Sequence, residues 1–204
     1  MIKAKWWGTY DEAPAAFDRT IQSWDTASKT DELNDFSVCT TWGKKGEELY
    51  LIDVLRRRMD FPELKKAVIV HAKKFRPDII LIEDKASGTA LIQQLKHEGV
   101  RGIQGVLPDD NKTVRLNTHL PWIEGGHVRL PRAAPWLQDY RQELERFPMG
   151  KHNDQVDSTS QALAWAQKNQ WQIKNPLRFA GRRITTELDR YVGADYGPSL
   201  HWGG

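Results

Sequence analysis

The stretch Thr20-Ile21-Gln22-Ser23-Trp24-Asp25-Thr26-Ala27-Ser28 anchors the reading of this chain. Thr20 to Trp24 is β-branched and aromatic and stops at a small polar cluster, which predicts a short strand. Asp25 then stands at the strand's carboxyl end, where open α/β sheets place ligands. Packing gives an Asp little to do there, because Asp is depleted in strands and rarely buried without a partner. Two further acidic signals stand at comparable places. Glu83 follows the run Ile79-Ile80-Leu81-Ile82, and Asp154 and Asp157 open a late helical stretch. One sheet can bring all of them to the same edge.

Working outward, Met1 to Arg19 reads as an irregular lead-in, with Pro14 in a loop. Met1 runs into Ile2-Lys3-Ala4-Lys5-Trp6-Trp7 without a cap, as expected of a domain cut from a longer chain. Ser28 to Asp35 reads as a turn. Phe36 to Trp42 and Glu48 to Val54 form an antiparallel pair around Gly43-Lys44-Lys45-Gly46. Pro62 opens a helix whose apolar positions Leu64, Ala67, Val68 and Phe75 keep helical spacing until Pro77. Asp78 to Ile82 is a nearly continuous apolar run, suited to a strand covered on both faces. A helix over Thr89–Glu98 and a strand over Ile103–Leu107 follow. Helices over Lys112–Ile123, Ala134–Phe147 and Asp154–Lys168 complete the pattern, with a short strand at His127–Leu130.

Three β-runs before any helix exclude a simple alternating βαβ order. The expected fold is α/β: a mixed sheet of three antiparallel strands and then parallel strands, flanked by helices, in the order of a ribonuclease H-like domain. The expected organisation is a lead-in over residues 1–19, a domain over 20–168 and a C-terminal tail over 169–204. The tail is rich in Gly, Pro and Arg and lacks sustained periodicity.

Composition narrows the function classes. The 204 residues can bury a full-sized core. Charged residues make up 28% and hydrophobic ones 39%, the balance of a globular chain. A net charge of +3 permits nucleic-acid binding without arguing for it. Cys39 is the only cysteine, which excludes a disulfide framework or a cysteine-based zinc site and fits a reducing compartment. No apolar run approaches the ~18 residues of a membrane span, so no membrane partner is expected. No Gly-x-x-x-x-Gly-Lys-Ser/Thr loop is present, so an ATPase would need another segment.

Metal-assisted phosphodiester cleavage needs carboxylates converging on one point, so that ions ~3.5–4 Å apart serve the attacking and leaving oxygens. All-oxygen ligands suit Mg²⁺ or Mn²⁺. Asp25, Glu83 and Asp154 supply such a set from two strand ends and a helix start. Each also has a structural role open to it. Asp25 can begin an Asx turn, Glu83 can pair with Lys85, and Asp154 can cap its helix while Asp157 favours the helix dipole. His152 is either near the metal or only a hydrogen-bond donor. Arg56-Arg57-Arg58, Arg57 in particular, together with Lys85, Lys112 and Arg115, are candidate contacts to a DNA backbone.

Three segments carry a resemblance. Ser23-Trp24-Asp25-Thr26-Ala27, Leu81-Ile82-Glu83-Asp84-Lys85-Ala86-Ser87-Gly88 and Lys151-His152-Asn153-Asp154-Gln155-Val156-Asp157-Ser158 resemble the acidic motifs of the nuclease domain of tailed-phage terminase large subunits. The similarity covers about residues 20 to 168. It implies a ribonuclease H-like fold and a metal-dependent endonuclease that cuts concatemeric viral DNA in the host cell cytoplasm. Implied partners are double-stranded DNA and, in a full-length protein with its packaging ATPase, the terminase small subunit and portal protein. The resemblance further implies two ions, with Asp25 bridging them, Glu83 binding one and Asp154 the other. Asn153 departs from the family, whose members often carry Asp there. The third ligand is accordingly expected at Asp154, with Asp157 one turn along as the reserve. On the same fold, a Holliday-junction resolvase or transposase is the enzymatic alternative. A non-catalytic module docking DNA or a portal is the other.

Overall fold

The computed structural model describes residues 1–26, 36–85, 87–107 and 111–169. The turn expected at Ser28–Asp35 falls outside them, as does the tail after Asn169. Seven strands form one mixed sheet: β1 (Gly8–Tyr10), β2 (Arg19–Asp25), β3 (Ser37–Lys45), β4 (Glu48–Arg57), β5 (Ile79–Glu83), β6 (Ile103–Val106) and β7 (Val128–Pro131). Their spatial order is β1-β7-β4-β3-β2-β5-β6. β2, β3 and β4 are antiparallel neighbours, while β5 runs parallel to β2 and β6 parallel to β5. This is the mixed order expected from the sequence.

Five helices cover the sheet: α1 (Phe61–Phe75), α2 (Ser87–His97), α3 (Lys112–Glu124), α4 (Leu137–Arg146) and α5 (Asp154–Lys168). The two faces have separate cores. Trp24, Ile80 and Ile82 pack with Leu64, Val68, Leu91 and Leu95 of α1 and α2. Ile21 and Leu81 point the other way and pack with Leu116, Tyr140, Leu144, Val156 and Leu163 of α3, α4 and α5. The alternation follows from the two-residue period of a strand. It therefore assigns Asp25 and Glu83, in phase with Ile21 and Leu81, to the α5 face. Among the described residues, no helix is long and apolar enough to cross a membrane.

Local chemistry explains the boundaries. Asp60 and Glu63 form a capping box, with Asp60 Oδ1 accepting from the Glu63 amide at 2.8 Å, so α1 starts at Phe61. Strand β3 runs past the expected Trp42 to Lys45, because Gly46 takes φ of 55° and closes a two-residue turn before Glu48, and β4 runs past Val54 to Arg57.

The lead-in differs from the expectation. Gly8–Tyr10 pairs with β7 in parallel, and Ile2 and Trp7 are buried in the α5-side core. The Met1 ammonium donates to the carbonyls of Glu145 and Phe147 at 3.3 and 3.1 Å. An edge strand of three residues has no readable periodicity, and its partner lies about 120 residues later in the chain.

Candidate active site

The register of the sheet builds the site. Asp25 pairs with Val38, and Val38 pairs with Arg56. On the other side Trp24 pairs with Ile82, one step before Asp25 and Glu83, and Glu83 pairs with Val106. One row across the sheet thus reads Arg56, Val38, Asp25, Glu83, Val106. Adjacent strands lie about 4.8 Å apart, so Asp25 and Glu83 are immediate neighbours on one face.

Glu83 is fixed by the start of α2. A Cβ at Gly88 would lie 1.9 Å from the Glu83 carbonyl oxygen, so only glycine lets the helix approach so closely. Gly88→Ala is expected to cost about 1–3 kcal/mol through this backbone clash. An unchanged urea midpoint in that variant would show that the α2 start yields freely.

A buried polar network sets α5 on the same face. Ser23 Oγ donates to the Ser158 carbonyl at 2.7 Å, and Ser158 Oγ returns a bond to the Ser23 carbonyl at 2.8 Å. Ser158 Oγ also accepts from the Thr40 amide at 3.2 Å, and Thr40 Oγ1 lies 2.7 Å away. Trp42 Nε1 donates to Thr40 Oγ1 at 2.8 Å, and Gln161 Nε2 donates to Ser23 Oγ at 3.0 Å. Each of these groups would cost about 1–3 kcal/mol if buried alone. Together they fix the register of α5 over β2 and β3, with its first turn above Asp25 and Glu83. Glu143 of α4 then covers the helix start, accepting from the Gln155 amide and Gln155 Nε2, both at 2.7 Å.

The two acidic residues of that first turn meet different surroundings. Asp157 is buried and paired with Lys112 Nζ, and Arg115 Nη2 donates to it at 2.5 Å. Asp154 lies 4.0 Å from His152 Nδ1, and its Oδ2 is buried with no hydrogen-bond partner. Burial raises the Asp154 carboxyl, Glu143 adds to the rise, and Arg56 and His152 oppose it. Burial likewise pushes Asp25 well above the usual carboxylate range. Asp157, Glu83 and Asp154 add to that push in this order, and Lys112 opposes it.

The basic residues divide by face. Arg56 Nε lies 3.6 Å from Glu143 Oε2, and its guanidinium sits 3.7 Å over the Phe36 ring. His152 meets the same ring edge-on at 5.6 Å. Arg57 points to the α1 side, 3.8 Å from Glu63. Lys85 is exposed two residues beyond Glu83. Lys112 also donates to Asn153 Oδ1 at 3.2 Å, and Arg115 Nε donates to Ser160 Oγ at 2.8 Å. Both are engaged by α5. Sequence reasoning did not find Glu143, Ser158 or Thr40. Their only signal was polar residues inside otherwise regular elements.

A model of the Terminase RNaseH-like domain matches residues 22–165, spanning β2 to α5 and all four acidic residues. The chain belongs to this family. No curated protein matches it. Its fold resembles the large terminase nuclease of thermophilic phage G20c, solved with bound cobalt, at 13% identity. That alignment covers 78% of this chain and 93% of the other, with a TM-score of 0.60. The nuclease domain of the phage SPP1 large terminase, solved with bound Mn, aligns at 18% identity over 76% and 89% of the two chains, TM-score 0.52. The large terminase of a second thermophilic bacteriophage aligns at 10% identity and TM-score 0.62, covering 81% of this chain. This terminase nuclease domain spans only 43% of that longer protein.

The donor set of this terminase nuclease domain fits a hard divalent cation. Asp25, Glu83, Asp154 and Asp157 offer only oxygen atoms, desolvation and acidic neighbours disfavour the charged form of Asp25, and Asp154 has an oxygen without a partner. Among the described residues, no three His, Cys, Asp or Glu side chains are gathered to enclose one ion. A hard divalent ion held by one or two carboxylates, with water and phosphate completing its shell, needs no such group.

Proposed function

We propose that this domain is a metal-dependent DNA endonuclease that cuts concatemeric phage DNA during packaging. The observation that carries the reading is the row of Asp25 and Glu83 on the face crossed by the first turn of α5. Divalent ions, Mg²⁺ or Mn²⁺, would supply an activated water and stabilise the leaving oxygen. Asp25 and Glu83, together with the acidic turn of α5, would hold these ions. Asp157 is taken as the principal ligand of that turn, since two cations already converge on its carboxylate, with Asp154 beside it. The relatives solved with cobalt, zinc, magnesium and manganese support divalent-metal use.

Lys85 is assigned to the DNA backbone, because it is exposed beside Glu83. Double-stranded DNA is the substrate. The small subunit and portal are partners of the longer protein, and host cytoplasm is the working compartment.

The test is nicking of supercoiled plasmid with Mg²⁺ or Mn²⁺. Nicking that stops on chelation and returns with either ion is the expected result. Intact plasmid under all conditions would leave a docking module as the better description.

A further inference from the structure

Lys112 is a cation bonded directly to the acidic site. It opens α3, bonds to Asp157 Oδ2 and Asn153 Oδ1, and feels the fields of Asp25 and Glu83 as well as Asp157. Its side chain is 45% exposed, whereas that of Arg115 is 14% exposed and anchored to Ser160. The two cations on Asp157 therefore differ in freedom. Arg115 spans Asp157 and Ser160 with the two arms of its planar guanidinium. Lys112 is a point charge on a flexible stem, open to solvent at its end.

We propose that Lys112 is an exchangeable counter-ion of the acidic site, occupying Asp157 until a divalent cation displaces it. Resting on the metal-dependent reading above, this adds a residue that sets the threshold for metal entry. An ammonium on Asp157 Oδ2 and a divalent ion on the same oxygen exclude one another by contact and by like charge. With the ion bound, Lys112 is released towards solvent at the same edge, where a DNA phosphate is its natural new partner. In this scheme metal binding itself exposes a phosphate-binding cation. The displacement is an exchange of ionic contacts, with no covalent bond made or broken.

Titration calorimetry with Mn²⁺ alone, without DNA, tests this on the full chain. Lys112→Met should bind Mn²⁺ on the order of tenfold more tightly than wild type, one competing charge-assisted bond having been removed. It should also melt lower in chelator and gain more from Mn²⁺ than wild type does. Lys112→Arg retains a competing cation and should bind Mn²⁺ as wild type does, which separates charge from folding effects. Equal or weaker Mn²⁺ binding by a folded Lys112→Met protein overturns the inference while leaving the metal reading intact. A wild-type protein that takes up no Mn²⁺ overturns both.

Discussion

Asp25→Asn is expected to abolish metal-dependent nicking while raising the melting temperature of the metal-free protein. The amide keeps the shape of the carboxylate but removes the charge placed between Glu83 and the acidic turn of α5. Losing a ligand shared by both ions should lower the rate at least about a thousandfold, a barrier increase of about 4 kcal/mol. Stability moves the other way because Asp25 is desolvated and faces Asp157, Glu83 and Asp154. At an effective dielectric near 20, two such charges ~4 Å apart repel by about 4 kcal/mol before Lys112 offsets part of it. A gain of even about 1 kcal/mol shifts the melting temperature by about 2–4 °C in a domain of this size.

The pH dependence gives the same contrast a second readout. Asp25 binds its proton more tightly in the folded chain than in the unfolded one. Its contribution to stability is therefore full below the ordinary carboxylate value and declines as pH rises towards its raised folded value. In the Asn variant that decline should be missing. A variant that melts lower than wild type in chelator, or keeps the wild-type slope with pH, would show that the carboxylates do not burden the fold.

The sequence made Asp25 and Glu83 legible because each ends a β-branched or apolar run, and strand parity then decides their face. The sheet order was legible for the same reason: three β-runs precede Pro62. Less legible were features settled by distant contacts. Ser158 reads as an ordinary polar position in a helix, yet it is wholly buried against Ser23 and Thr40, more than a hundred residues away. Lys112 and Arg115 read as phosphate contacts because a basic residue near a helix start carries no mark of its partner. Folding instead brings α3 beside α5 and gives both to Asp157. Arg57 illustrates the same limit within a strand, since the face of a residue in Arg56-Arg57-Arg58 depends on a register that only the sheet supplies.

That distribution of cations separates the two acidic residues of α5. Sequence spacing favours Asp154 as the third ligand, since a residue at a helix start can leave the helical surface. The metal site proposed above takes Asp157 instead, one turn in, whose carboxylate two cations already engage, while Asp154 has Glu143 as its strongest acidic neighbour. Asp157→Asn is therefore expected to lose metal-dependent cleavage, and Asp154→Ala to retain a measurable fraction of it. Their stabilities should also differ. Asp157→Asn weakens the ionic bonds to Lys112 and Arg115 and should cost about 1–3 kcal/mol, with a loss nearer the lower figure because Lys112 is partly solvated. Asp154→Ala removes a carboxylate that burial and Glu143 both disfavour, so its cost should be small. Asp25→Asn and Asp157→Asn would then share one catalytic defect with opposite changes in stability, a pattern that general loss of folding cannot produce. Activity in Asp157→Asn alongside a dead Asp154→Ala protein would move the third ligand back to the helix start.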